Sequence, residues 1–142
     1  NVEIGTAGGN ILGVFDGCEY TNAQGEVVYS HYWPAGTVLQ AGTTAKCFVY
    51  DDPDIVFAVQ ADEDIVEGDI NQQGDLVSGT GSTLTGLSAW EFDSSSVGSG
   101  AQLKILGLAP TQHVSGGNAY GNFAVIEVLI AEHELRGNTV AV

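Results

Sequence analysis

Carboxylates are the most concentrated chemical groups in this chain, and they cluster near its middle. Hard cations such as calcium are bound by about six to eight oxygen ligands of this kind. However, the run Asp62-Glu63-Asp64 lacks the alternating spacing of a D-x-D-x-D-G calcium loop. We therefore interpret the stretch as a solvated, self-repelling surface and predict no metal site and no cofactor, with a calcium site as the alternative. The acidic positions are Asp51, Asp52, Asp54, Asp62, Glu63, Asp64, Glu67, Asp69 and Asp75.

The residues that serve hydrolytic enzymes do not occur in the spacings that their chemistry requires. His31, His113 and His133 lie far apart, and neither H-x-x-x-H nor H-E-x-x-H occurs. A serine nucleophile of the G-x-S-x-G type is also absent. The Gly-rich segment 5–9 is not followed by Gly-Lys-Ser/Thr, so it is not a phosphate-binding loop. We predict that the protein is not an enzyme and has no catalytic residues.

Two cysteines and a group of aromatic residues leave alternatives open. Cys18 and Cys47 are too few for a disulfide scaffold and lack the CxxC spacing of a zinc site, so they either form one bridge or pack as small buried residues. Tyr29, Tyr32 and Trp33 precede Pro34, and such side chains can stack on a sugar or anchor a protein contact. We expect at least one of these aromatic side chains to pack in the core and the others to contact a partner.

The charge balance excludes several classes of partner. The chain has 3 Lys and Arg residues against 18 Asp and Glu residues, which gives a formal net charge of −15. Such a surface repels nucleic-acid phosphates and anionic lipids, and no apolar run approaches the roughly 20 residues that span a bilayer. We therefore expect neither a nucleic-acid nor a membrane partner. With 142 residues and 44% hydrophobic composition, the chain can form one domain with a real core.

Short strands must position these groups. The apolar runs are short and β-branched, and turns rich in Gly, Ser and Thr separate them. We predict an all-β fold, a single small β-barrel or β-sandwich of about seven or eight antiparallel strands with long Gly/Ser/Thr loops and flexible termini. The predicted organisation is a flexible arm (1–10), a β domain (11–136) and a C-terminal tail (137–142). The clearest strands are 12–20, 26–33, 45–50, 55–61, 89–92, 103–108 and 123–131.

The last of these strands is apolar on both faces, because only Glu127 is polar between Phe123 and Ala131. One face of an antiparallel sheet normally meets water, so this strand is either buried between two layers or covered by another chain. We predict assembly or partner contacts here and in the aromatic segment before Pro34. The predicted contact residues are Tyr29, Tyr32, Trp33, Phe123, Val125, Val128 and Ile130.

Several ordered segments resemble a family of small virion proteins of tailed phages, and the resemblance covers most of 11–135. The ends depart most, because the Gly-rich arm and the tail after Arg136 do not match the pattern. The matching segments are Ile11–Tyr20, Tyr32–Pro34, Val49–Phe57 with Val59 and Gln60, Gly79–Thr83, Leu103–Gly107 and Glu132–Leu135.

The resemblance implies a structural role as a capsid decoration (cement) protein, with another virion role as an alternative, and it carries over no catalytic residues. Such proteins are often β-rich and commonly trimeric, so the implied partners are the major capsid protein and further copies of this chain. The implied location is the outer surface of the virion capsid after synthesis in the host cytoplasm. The rival hypothesis, from exposed aromatic residues and the acidic stretch, is a secreted or cell-surface carbohydrate-binding module, with or without a requirement for calcium.

Overall fold

A computed structural model describes residues 5–82, 84–111 and 116–136, and these residues form small antiparallel sheets. Two short 3-10 helices, Glu67–Asp69 and Ser94–Ser96, also occur in the described ranges. The strands are β1 (Val14–Thr21), β2 (Val27–Ser30), β3 (Lys46–Tyr50), β4 (Phe57–Gln60), β5 (Asp64–Ile65), β6 (Gln73–Gly74), β7 (Leu76–Val77), β8 (Glu91–Phe92), β9 (Leu103–Leu108), β10 (Gly121–Asn122) and β11 (Val125–Ile130).

The hydrophobic core lies against a four-stranded sheet of order β4-β11-β9-β6. β11 is central, and its register places Val128 opposite Phe57 on one side and Ile105 on the other. Alternate β11 residues therefore point inward, and Phe92 from β8 packs against them. The fully enclosed core residues are Ala61, Ile65, Phe92, Leu103, Ile105, Ala124, Ile126, Val128 and Ile130.

A second, three-stranded sheet of order β2-β1-β3 contributes no residue to that core. A tight turn joins β1 to β2, and the Asn22 side-chain oxygen accepts hydrogen bonds from the N–H groups of Gln24 and Glu26. The pairing of β1 with β3 shifts register between Phe15 and Gly17, which makes Asp16 the extra residue of a β-bulge. Large apolar residues in this sheet are mostly exposed, unlike those of the four-stranded sheet.

Buried Gln102 connects the short strands and the N-terminal segment to the main sheet. Its side-chain oxygen accepts a hydrogen bond from Leu76 N–H at 3.0 Å. Its Nε2 donates to the carbonyl oxygens of Thr6, at 2.8 Å, and Gly9, at 2.6 Å. Ile11 then pairs with His133 as a parallel bridge. The described part of the N-terminal arm is therefore hydrogen bonded to the domain at several points.

The all-β prediction is confirmed, and the sheets formed by the described residues make a sandwich-like arrangement and no closed barrel. Eleven strands occur in the described ranges, more than the seven or eight expected, because five of them have only two residues. The strand expected over 26–33 ends at Ser30, so Tyr32 and Trp33 lie in a loop. The predicted tail, 137–142, and His113 lie outside the described residues.

Candidate functional site

One face of the three-stranded sheet carries a row of exposed apolar side chains, which we call the exposed sheet face. Tyr29 and Lys46 both pair with Glu19, and Tyr50 pairs with Val14, so these side chains share one side of the sheet. Tyr29 is 70% exposed. The large apolar members of the exposed sheet face are Val14, Val27, Tyr29, Phe48 and Tyr50.

The opposite face of this sheet is partly covered by the chain that follows β2. Cys18 and Tyr20 are buried there. The Trp33 ring lies 5.3 Å from the Tyr20 ring, centroid to centroid and tilted by 57°, which is a favourable aromatic contact. The sheet therefore buries its large side chains on one side only.

A shallow cleft of about 180 Å³ opens where the β-bulge meets the exposed sheet face. Aromatic rings beside a carboxylate and an imidazole can stack on and hydrogen bond to a small polar ligand. No hydrogen bond joins His31 to Ser30 or Asp16 within the described ranges, so these three side chains do not form a Ser-His-Asp relay in this conformation. The cleft is lined by Asp16, Gly17, Cys18, Tyr29, Ser30, His31 and Phe48.

Glu19 sets the electrostatics of the exposed sheet face. Its negative charge, together with a hydrogen bond, raises the pKa of the Tyr29 hydroxyl above the ordinary value. Tyr29 therefore stays a neutral hydrogen-bond donor at physiological pH. Lys46 Nζ lies 3.9 Å from Glu19 Oε1, and this exposed pair contributes little to stability.

The other aromatic residues predicted as partner contacts are partly engaged within the subunit. Tyr32 lies against the backbone of Gly86, where an added Cβ would sit 2.6 Å from the Tyr32 ring. Trp33 contacts Tyr20 and is 45% exposed. Tyr29 is the most exposed of the three, which leaves it the most available for an external contact.

The residues predicted as contacts in and before the last strand differ in exposure, because the two faces of β11 have different surroundings. Val128 and Ile130 are 1% and 3% exposed in the subunit core, so their prediction as partner contacts was wrong. The inward face of β11 is covered by the chain itself, whereas outward-facing Val125 is half-buried. Phe123, just before β11, is exposed and has a positive φ of 60°. Of the four residues predicted here, Phe123 and Val125 remain accessible.

The remaining members of the exposed sheet face, Val14, Val27, Phe48 and Tyr50, were missed by the sequence analysis. Alternation alone cannot tell a face that meets the core from one that meets solvent. The charged residues Glu19 and Lys46 lie on the same side of the sheet as Tyr29 once the strand register is known. Charged residues on one side of a sheet indicate that this side faces solvent, and this was the signal available in the sequence. The bulge at Asp16 obscures this signal by changing the alternation within β1.

Several acidic side chains of the middle segment accept hydrogen bonds from other residues of the protein. Asp62 accepts hydrogen bonds from the N–H and Oγ of Ser94, at 2.9 and 2.8 Å. Asp69 accepts one from Val66 N–H, and Asp75 accepts one from Gln102 N–H. Across residues 5–82, 84–111 and 116–136, no group of three or more His, Cys, Asp or Glu residues is arranged to hold a metal ion.

Comparison of the chain with protein-family models, with curated proteins and with solved structures found no match. Within the described ranges, no helix is long and apolar enough to cross a membrane. The exposed sheet face and the adjoining cleft are therefore the features on which a functional proposal rests.

Proposed function

We propose that this protein is a non-enzymatic virion structural protein that decorates the outer surface of a tailed-phage capsid. In this role it binds the major capsid protein and stabilises the shell, and it associates with its own copies as a homotrimer. The observation that carries the proposal is the exposed sheet face, a set of apolar and aromatic side chains on a sheet that contributes no residue to the main hydrophobic core. The segments that resemble tailed-phage virion proteins support the same role.

The exposed sheet face has the chemistry of a protein interface. Burial of apolar surface is worth about 25 cal/mol per Å², and each aromatic side chain can bury about 150–250 Å². Tyr29, Phe48 and Tyr50 together therefore offer several kcal/mol of binding energy, and tyrosine is enriched among the residues that dominate interfaces. Small sheets of this kind need packing on at least one face for stability. A partner bound to the exposed sheet face would add packing on the second face.

The charge of the chain indicates the chemistry of that partner. With a formal net charge of −15, the chain repels DNA and also its own copies. Lys46 and Arg136 already pair with Glu19 and Asp54 in the same chain. Self-association should therefore depend on apolar contacts, and the capsid surface should supply the basic groups. An acidic protein of this kind fits the outside of a shell better than the inside, which faces packaged DNA.

Stabilisation of the shell follows from the thermodynamic linkage between binding of this protein and assembly of the capsid. A protein that binds the assembled shell more tightly than its free subunits stabilises the assembled form. Because the shell repeats the same site many times, a trimer can engage several sites at once and gain from multivalency. Modest contacts through Tyr29 and its neighbours would then suffice for stable attachment.

The test is binding of the purified protein to capsids that lack it, measured by co-sedimentation and by imaging of the particles. We expect the double variant Tyr29→Ala/Tyr50→Ala to bind at least about tenfold more weakly, since two aromatic anchors are removed. Leu84→Ala is the matched control, because Leu84 is 92% exposed in a loop outside this sheet and its loss should leave binding unchanged. A wild-type protein that is monomeric and does not bind capsids would refute the proposal.

A second candidate function, carbohydrate binding by a secreted or cell-surface module, is favoured by the cleft. Tyr29 and Phe48 could stack on a sugar ring while Asp16 and His31 hydrogen bond to its hydroxyl groups. A glycan array, combined with calcium titration of thermal stability, separates the two candidates. The decoration proposal predicts no response to glycans or calcium, whereas binding that is lost in His31→Ala would favour the carbohydrate module.

A further inference from the structure

Cys18 and Cys47 face each other across the β1–β3 pair in direct register. Directly opposed residues in an antiparallel pair have Cα atoms about 4.5 or 5.5 Å apart and side chains on the same side of the sheet. Both separations fall within the range of about 4.4–6.8 Å that a disulfide requires. Both thiols are free in the structure.

From this geometry we propose that Cys18 and Cys47 are a cross-strand thiol pair that is oxidised to an intramolecular disulfide. Cys47 is exposed on an edge strand, whereas Cys18 is only 1% exposed. The exposed Cys47 is therefore the thiol that an oxidant meets first, and Cys18 is the thiol that completes the bond. The proposal is independent of the proposed function, because it concerns two residues of the free chain.

The oxidant class we name is a small-molecule disulfide such as oxidised glutathione. Cys47 loses its proton to solvent and its thiolate attacks one sulfur of that disulfide, which releases one glutathione thiolate. The Cys18 thiolate, formed by loss of its proton, then attacks Cys47 Sγ and releases the second glutathione thiolate. Two protein thiols are oxidised, one small disulfide is reduced to two thiols, and the two protons are taken up by the leaving thiolates.

The environment of Cys18 sets the order and the pH dependence of these steps. Burial, followed by the nearby Cys47 thiol, raises the pKa of Cys18 above its ordinary value. Cys18 Sγ also donates a long hydrogen bond, 3.7 Å, to the carbonyl oxygen of Tyr32. Since only the thiolate is nucleophilic, the second step should accelerate as pH rises toward the pKa of Cys18.

The bond would fix an edge strand whose strand pairing, within the described ranges, is with β1 alone. β3 pairs with β1 and carries Phe48 and Tyr50 of the exposed sheet face. A covalent link at Cys18 and Cys47 would prevent this strand from separating.

The experiment treats the reduced 142-residue chain with oxidised glutathione at low protein concentration and maps the products by peptide mass spectrometry. We expect a Cys18–Cys47 linked peptide within single chains and an increase in its rate of formation with pH. In Cys18→Ala, the glutathione adduct on Cys47 should persist, because no second thiol is present to displace it. In Cys47→Ala, Cys18 should remain unmodified in the folded protein.

Three outcomes would overturn the proposal. One is a wild-type chain that keeps the glutathione adduct on Cys47, and another is a product linked only between chains through Cys47. The third is an unmodified Cys47, which would show that it is not the accessible thiol. Each outcome is visible in the same peptide map, and none depends on capsid binding.

Discussion

Gly74 lies where the ring of Phe92 leaves no room for a side chain. A Cβ at Gly74 would sit 2.2 Å from Phe92 Cζ, and Phe92 is completely buried. Phe92 belongs to the same buried core as Ile65 and Ile126, and a displaced ring would disturb the close packing of that core. The absence of a side chain at Gly74 is therefore a packing requirement of the fold.

We expect Gly74→Ala to lower the free energy of unfolding by about 1–3 kcal/mol, because core overpacking forces neighbouring groups to shift. Urea denaturation measures the change. Gly107→Ala is the matched control in the adjacent strand of the same sheet, since an added Cβ there meets no atom within 4 Å. Equal stabilities for the two variants would contradict the packing requirement.

The Asp62 carboxylate connects two distant segments of the chain, because it accepts two hydrogen bonds from Ser94. Burial alone would raise its pKa, but hydrogen bonds from the backbone and side chain of Ser94 outweigh this effect and hold the pKa below its ordinary value. A carboxyl group whose pKa is lower in the folded chain stabilises the fold at pH values above its unfolded pKa. This stabilisation is lost as the pH falls through the folded value.

We expect Asp62→Asn to destabilise the protein by about 1–2 kcal/mol near neutral pH, where the charged hydrogen bonds are fully formed. The difference from wild type should begin to shrink as the pH falls below the ordinary aspartate pKa, and it should be lost as the pH falls through the lower pKa of the folded state. Urea denaturation across this pH range gives the comparison. Asp51→Asn serves as the control because Asp51 is exposed, and a constant Asp62→Asn difference at every pH would argue against this role.

At the level of secondary-structure elements, Gln102 forms hydrogen bonds with the N-terminal segment, with β7 and with the residue that follows β11. Besides its three side-chain hydrogen bonds, its carbonyl oxygen accepts one from Ala131 N–H at 2.7 Å. An apolar residue here would keep the backbone contact but leave the carbonyl groups of Thr6 and Gly9 without their donor. The side chain thus joins segments that are far apart in the sequence.

We expect Gln102→Leu to reduce stability by about 2–4 kcal/mol, because buried polar groups lose their partners. The amide of Leu76, which donates to the Gln102 side chain, should also exchange with solvent faster. Hydrogen exchange monitored by NMR provides the site-specific measurement. Gln72→Leu removes only an exposed hydrogen bond to Gly68, so unchanged exchange at Leu76 is expected in that control.

Sequence patterns predicted the longer elements more reliably than the contacts between them. The apolar runs identified β9 and β11, each of which is a six-residue strand. The same patterns missed the role of Gly74 and the hydrogen bonds of Gln102, since these depend on residues brought together only by folding. For the candidate site, residue type alone led to the choice of Tyr29, which is exposed and whose role as a contact stays a prediction. Val128 and Ile130 were misassigned because apolar composition does not reveal which face is already covered.

At the scale of the whole molecule, the net charge dominates the response to solution conditions. Only 3 residues are Lys or Arg, and the formal net charge is −15, so electrostatic repulsion opposes the compact state. Two ion pairs form in the described ranges, and both involve exposed side chains. Attraction between opposite charges therefore offsets little of the repulsion.

We expect the melting temperature to rise by several degrees between low and physiological ionic strength, because salt screens this repulsion. Differential scanning calorimetry over a sodium chloride series measures the effect. A variant with several exposed acidic residues replaced by their amides, such as Asp51→Asn/Asp52→Asn/Glu63→Gln, should show a smaller rise. A melting temperature that falls over this interval would contradict the expectation.

The position of β11 at the centre of its sheet has a consequence for how the chain acquires its shape. β4 pairs with β11, and no other strand of that sheet lies beside β4. During synthesis, Phe57 and Val59 must therefore wait until residues 125–128 have left the ribosome before they can form this strand pairing. Because such distant pairings are slow to form, newly made chains should pass through a period in which aggregation competes with folding.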